Sequence, residues 1–92
     1  MPVNEERPLS ELPNLGARSQ AMLAQAGILS VAELRRLGSV AAYAQVRRSG
    51  VHASLNLLWA IEGALSAMHW QEVARLHRTS LLLALDDFER RT

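Results

Sequence analysis

The sequence contains no cysteine and no lysine, and only four of its 92 residues are aromatic. Without cysteine there is no disulfide framework, no thiol nucleophile and no cysteine-based zinc site. Four aromatic rings are too few for a platform on which successive bases of a single strand stack. The apolar runs fall far short of the ~20 residues that a membrane-spanning helix needs, and the N-terminus lacks the apolar segment of a signal peptide. We therefore expect a cytoplasmic protein with no membrane segment.

The overall charge is +1, and all ten basic residues are arginine. A net charge this small will not drive nucleic-acid binding by itself. The planar guanidinium suits phosphate, but a GC-rich genome, which favours arginine codons, explains the arginine usage more simply. A hydrophobic content of 49% with 21% charged residues is typical of a globular chain.

Glycine, proline and serine divide the chain into segments that predict an all-α protein, a compact array of about five helices. Residues 1–8 are polar, contain two prolines and predict a flexible leader, followed by a single helical domain over residues 9–92. One helical turn at residues 9–12 precedes the helices. The predicted helices span residues 17–26, 31–37, 40–48, 55–68 and 69–92.

The fourth predicted helix is the most apolar and should be the buried centre of the fold. Gly63 inside it costs about 1 kcal/mol relative to alanine, which a close helix–helix crossing at that position would offset. Glu62 is the one acid in this helix. Because no nucleophile, second acid or base accompanies it, we expect a structural ion pair with an arginine, or a hydrogen bond to a loop.

The chain is organised around residues 12–34, which predict a tight turn, an amphipathic helix and the start of a second helix. Pro13 and Gly16 mark the first turn, where we expect Gly16 to have a positive φ or an uncovered backbone. Gly27 predicts the end of the helix. The S-x-x-E pattern at residues 30–33 predicts a capping box for the next helix.

Two stretches carry a resemblance to known families. Residues 12–34 resemble a helix-hairpin-helix motif. The helix S-L-N-L-L-W-A-I-E-G-A-L at residues 54–65, followed by His69-Trp70, is similar to the C-terminal domain of the TfoX/Sxy competence regulators. The resemblance covers roughly residues 9–70, which is most of the chain. The resemblance implies a bacterial regulator of transcription linked to competence and DNA uptake, whose full-length members also carry an N-terminal domain that these 92 residues lack.

The hairpin resemblance also implies a site. In helix-hairpin-helix proteins the turn and the following helix start present backbone N–H groups to a DNA phosphate. Here the donors would be Gly16 and Ala17, with Arg18 as the ionic contact and Asn14 at the loop tip. Asn14 stands where DNA-binding hairpins commonly have glycine. The alternative is that the hairpin is a structural corner that packs the first helices.

Two arginine pairs are weaker candidates for contacts with nucleic acid. They lie near predicted helix C-termini, where the helix dipole favours cations with or without a ligand, so a solvated face is the alternative. The pairs are Arg35-Arg36 and Arg47-Arg48.

No arrangement of residues supports catalysis, a cofactor or a metal, so we expect no enzyme. His69 and His77 are eight positions apart, too far along one helix to share an ion, and His52 has no metal-site spacing with either. We expect all three histidines to serve in packing or at the surface.

The apolar run at residues 81–85 covers more of a helix circumference than the ~100° that one core contact needs. It predicts a homodimer through the C-terminal helix, unless the helix folds back and is buried on both flanks. The candidate interface residues are Leu81, Leu82, Leu85 and Phe88.

Two functions follow from these features. One is a regulatory module that binds the backbone of double-stranded DNA without sequence preference. The other is a protein-interaction or oligomerisation module that binds no nucleic acid, with a transcription-related protein or a second copy as its partner. Phosphate binding weakens steeply with salt and apolar association does not, so a salt titration separates them.

Overall fold

The computed structural model describes residues 8–91, which form a short 3₁₀ helix, Leu9–Glu11, and five α-helices. The α-helices are α1 (Ala17–Gln25), α2 (Val31–Arg48), α3 (Leu55–Ser66), α4 (Trp70–Leu76) and α5 (Arg78–Arg91). No strand occurs in this part of the chain, and the all-α prediction is confirmed. The predicted leader, apart from Pro8, lies outside the described residues. None of the described helices is long and apolar enough to cross a membrane.

Helix α3 is the centre of the core, as the sequence predicts. It packs against α2 on one side and α4 on another. All five residues from Leu57 to Ile61 are buried, together with Gly63 and Ala64. A helix that is apolar on nearly all sides requires such enclosure.

The turn between α1 and α2 also follows its sequence signals. Gly27 has φ 86°, and the next N–H, that of Ile28, donates to the carbonyl of Leu23 at 2.9 Å. This pattern closes the end of a helix and favours glycine. At the start of α2 the hydroxyl of Ser30 accepts from the backbone N–H of Glu33 at 3.1 Å. The serine half of the predicted capping box is thereby confirmed.

Gly38 interrupts α2 with a non-helical backbone, φ 80° and ψ 167°. The sequence predicts two helices here, and the structure has two helical segments joined at this single residue. The following residue, Ser39, is buried, and its hydroxyl donates to Oε1 of Glu62 at 2.7 Å. The acid of α3 therefore has the structural partner expected of it, but that partner is a hydroxyl of α2 rather than an arginine or a loop.

The C-terminal stretch forms two helices where the sequence predicts one. The break lies at His77, with φ −120° and ψ 10°, although the stretch contains neither glycine nor proline. Helix α4 packs against α3 and buries Val73, whereas α5 packs mainly against α2 and buries Leu85. Burial against two different helices requires a change of direction, and this outweighs the local preference for a continuous helix.

Candidate nucleic-acid interface

The turn before α1 has its left-handed residue at Asn14, with φ 72°. Asparagine tolerates this region better than most residues do. Gly16 has an extended backbone, φ −113° and ψ −167°, and a Cβ built on it meets no atom within 4 Å. Of the two alternatives expected at Gly16, a positive φ or an uncovered backbone, the positive φ is not found, and a Cβ would meet no neighbour.

The side chain of Asn14 binds the connection between α3 and α4. Its Nδ2 donates to the carbonyl of Met68 at 2.7 Å, and its Oδ1 accepts from the backbone N–H of Trp70 at 3.1 Å. Both ends of the amide are thus used within the chain. Sequence reasoning placed Asn14 among the DNA contacts, but the structure gives its side chain a positioning role.

Gly63 provides the space for this connection. A Cβ at Gly63 would collide with the carbonyl oxygen of Met68 and would lie 2.5 Å from Nδ2 of Asn14. The sequence predicts a close helix–helix crossing at this glycine. The neighbours are instead the α3–α4 connection and the turn before α1, so the reason for the glycine is correct and the partner is different.

The turn and α3 are held so that the N-terminal ends of α1 and α3 line one cavity of about 390 Å³. We call it the Arg18 cavity. Its polar lining comprises Asn14, Arg18, Ser19, His52, Ser54 and Asn56, and its apolar lining comprises Met22, Ala53, Leu57, Ala60 and Trp70. No acidic residue lines it, and the first turns of α1 and α3 contain none. The partial positive charges of two helix N-termini are therefore not neutralised locally.

Arg18 is exposed, and no carboxylate of residues 8–91 forms an ion pair with it. Within the same range, no acceptor is bound by the backbone N–H groups of Gly16 and Ala17. Two backbone donors and a guanidinium are thus available together at the start of α1. An anion such as phosphate is the complementary ligand.

The four secondary arginines do not line the Arg18 cavity. Arg36 forms an ion pair with Glu33, and Arg47 pairs with Glu89 at 3.6 Å. Arg48 lies over the ring of Phe88, and Arg35 is an exposed residue in the first half of α2. Arg47 also lines a depression of about 770 Å³ that shares residues 52–54 with the cavity. Of these four arginines, Arg47 is therefore the one that lines a depression adjoining the Arg18 cavity.

The histidines occupy three different settings. His52 lines the Arg18 cavity. Nδ1 of His69 accepts from the N–H of Gln71 at 3.1 Å and so caps α4, and His77 ends that helix. Over the described range, no three His, Asp or Glu side chains lie close enough together to hold a metal ion. His52, Asn56 and Trp70 were absent from the sequence-derived site, because no local pattern places them beside Arg18.

The apolar run of α5 is largely used inside the chain. Leu85 is only 4% exposed, and Leu81, Leu82 and Phe88 are partly buried against the core. The prediction that Leu85 lies in a dimer interface is wrong, because Leu85 is buried within the chain, where α5 packs against α2. The leucine of the run that stays exposed is Leu83, at 66%.

Comparison with known proteins identifies the family. Residues 5–85 match the TfoX C-terminal domain. The DNA transformation protein TfoX of Haemophilus influenzae is 31% identical over 83 residues, which cover 90% of this chain and 38% of that protein. The DNA transformation protein TfoX1 of Aliivibrio fischeri is 30% identical over 79 residues, covering 85% and 38%. The chain thus spans about two fifths of the length of these curated relatives.

A solved structure shares the fold. The crystal structure of an uncharacterized protein from Listeria monocytogenes aligns with a TM-score of 0.76 and 29% sequence identity, over 90% of this chain and 94% of that one. With the sequence match over residues 5–85, this shows that the chain belongs to the TfoX C-terminal domain family.

Proposed function

We propose that this chain is a non-enzymatic regulatory module that binds the backbone of double-stranded DNA through the Arg18 cavity and the start of α1. The observation that carries the proposal is an arginine with no acidic partner in residues 8–91, placed where two helix N-termini meet on a surface without acidic residues. A phosphate there would accept from the N–H groups of Gly16 and Ala17 and pair with Arg18.

Contacts of this kind fix the position of a duplex and do not read its sequence. Arg18 is the arginine that lines the cavity within residues 8–91, and Arg47 lines a neighbouring depression. Each neutralised phosphate contributes about −0.9 to the slope of log K against log salt, so we expect a slope between about −1 and −2. Binding should be weak and should serve to hold the module on DNA rather than to select a site.

The names of the relatives suggest the process in which the proposed DNA binding takes part. Both curated relatives are named DNA transformation proteins. We infer that the chain acts in the cytoplasm of a bacterium, in the regulation of DNA transformation, with DNA contact as its contribution.

The test is fluorescence anisotropy with labelled duplexes of unrelated sequence, at low and moderate salt. Arg18→Ala removes one charge-assisted contact worth about 1.5–3 kcal/mol, so affinity should fall at least about tenfold, and equally for all duplexes. Arg90→Ala is the matched control, because it removes the same charge from α5, where Arg90 pairs with Asp86. It should bind like the parent.

Two results would count against the proposal. If the parent chain does not bind duplex DNA at low salt, the function is excluded. If Arg18→Ala binds as tightly as the parent, the site lies elsewhere, with Arg47 as the next residue to replace.

The exposed leucines favour the second candidate, an interaction module. Leu29, Leu76 and Leu83 are 72%, 54% and 66% exposed, and contiguous apolar patches built from such side chains mark association sites. A partner bound through them would remain bound at high salt. Self-association of that kind is tested below through Leu83.

A further inference from the structure

We propose that the Arg18 cavity holds one unstacked nucleotide, with its phosphate at Arg18 and its base against Trp70. This inference rests on the proposed function and narrows its ligand from a continuous duplex backbone to a nucleotide whose base is not paired.

The Arg18 cavity is large enough for more than a phosphate group. A single backbone phosphate bound at Arg18 would occupy only part of this cavity. A volume of about 390 Å³ lies within the range of small-molecule sites, roughly 300–1,000 Å³. The structure therefore offers more space beside Arg18 than a backbone phosphate would fill.

The lining of the cavity combines basic side chains with apolar surface. Arg18 and His52 are the basic side chains of the cavity, and Met22, Leu57 and Ala60 contribute apolar surface. A ligand that satisfies both parts has an anionic group and a flat, largely apolar body. A mononucleotide has this composition, whereas inorganic phosphate or a duplex backbone uses only the charged part.

Trp70 provides the aromatic ring of the cavity. Its indole is partly buried and lines the cavity. Its backbone is held by Asn14, and its ring stacks with that of His69 at 5.9 Å between centroids and 26° between planes. A fixed aromatic face can stack with a base, a contact worth about 1–3 kcal/mol. One ring serves one base, which agrees with a chain too poor in aromatic residues to bind a run of single strand.

Polar side chains are available for the edge of the base. Ser19 and Asn56 line the cavity beside the apolar surface. The amide of Asn56 offers two donors and an acceptor, and no other residue in the described range binds it. The unstacked nucleotide can come from two sources, a free mononucleotide or the frayed end of a DNA strand.

The experiment follows the indole N–H signals in ¹H–¹⁵N spectra of the parent chain. The chain has two tryptophans, and Trp59 is only 2% exposed, so its signal is an internal control. Probes are dAMP, deoxyadenosine and inorganic phosphate. We expect dAMP to shift the Trp70 signal saturably, deoxyadenosine to bind at least about tenfold more weakly, and phosphate to leave the indole unmoved. Arg18→Ala should weaken dAMP at least about tenfold, and Arg90→Ala should not.

Two duplexes, one blunt and one with an unpaired 5′-phosphorylated nucleotide at each end, separate this inference from the proposed function. Tighter binding of the overhang duplex, with a shift of the Trp70 signal, supports the strand end as the source, and a response to dAMP alone supports the free nucleotide. If both duplexes bind equally through Arg18 and neither they nor dAMP move the Trp70 signal, the nucleotide site is refuted while backbone binding stands. If dAMP binds and neither duplex does, DNA binding is refuted and the nucleotide site stands.

Discussion

Replacing Gly63 by alanine should destabilise the chain, although alanine favours helices. The new methyl group would collide with the carbonyl of Met68 and would lie 2.5 Å from Nδ2 of Asn14. The Met68 carbonyl is backbone in the closing turn of α3, where the N–H of Met68 donates to Gly63 at 2.9 Å. The side chain that can move is therefore Asn14, and its movement breaks the connection between the turn and α4.

The size of the effect follows from three contributions. The loss of two hydrogen bonds made by Asn14 costs about 2 kcal/mol. The remaining contact with the Met68 carbonyl adds roughly 1 kcal/mol of overpacking. The greater helix propensity of alanine returns about 1 kcal/mol. The net loss is about 2 kcal/mol, which for a chain of this size corresponds to a fall in Tm of roughly 8–16 °C.

The assay is urea unfolding followed by circular dichroism at 222 nm. Gly16→Ala is the matched control, because its Cβ meets open space, and its stability should stay within about 1 kcal/mol of the parent. In an Asn14→Gly background, which keeps the positive φ and removes the amide, Gly63→Ala should cost less. Equal or greater stability of Gly63→Ala in the parent background would refute the close contact.

Three further predictions concern stability and assembly. Ala67 has φ 59°, so Ala67→Gly should stabilise the chain by about 0.5–1 kcal/mol in the same urea assay, and a destabilised variant would contradict the strained backbone. Burial raises the pKa of Tyr43, with Glu89 raising it and Arg47 lowering it, and its hydroxyl donates to the carbonyl of Ala53 at 2.9 Å. Folding stabilises the neutral form of the Tyr43 hydroxyl. Its contribution to stability is therefore present below the ordinary tyrosine pKa of 10.0 and is lost as the pH rises beyond that value. Between pH 8 and 11 the urea midpoint should fall for the parent, and it should fall less for Tyr43→Phe. If the chain dimerises, Leu83→Glu should give a monomer mass in light scattering at micromolar concentration without loss of helicity, and a persisting dimer would place the interface elsewhere.

The sequence predicted those parts of the fold that depend on neighbouring residues. The end of α1 at Gly27, the serine cap of α2 and the interruption at Gly38 are each decided within a few positions. The burial of α3 was predictable for a related reason, since a helix apolar on nearly all sides has to be enclosed. In each case the local preference and the packing agree.

The C-terminal helices were not predictable in this way. Residues 69–92 contain no helix breaker, and their local preference is for one helix. The break at His77 arises because α4 packs against α3 while α5 packs mainly against α2. That information lies in the arrangement of α2 and α3, which no pattern within the segment expresses.

The candidate site depends on a still longer connection. Asn14 binds residues 54 and 56 positions away, and this contact determines which side chains accompany Arg18. In the sequence, this asparagine stands at the hairpin tip where DNA-binding hairpins commonly have glycine. In the structure its amide points to Met68 and Trp70, and the start of α1 stays open. The asparagine therefore links the turn before α1 to the α3–α4 connection and to the backbone of Trp70. If the chain binds DNA as proposed, Asn14→Gly should weaken that binding in the anisotropy assay, and an unchanged affinity would contradict a positioning role for this amide.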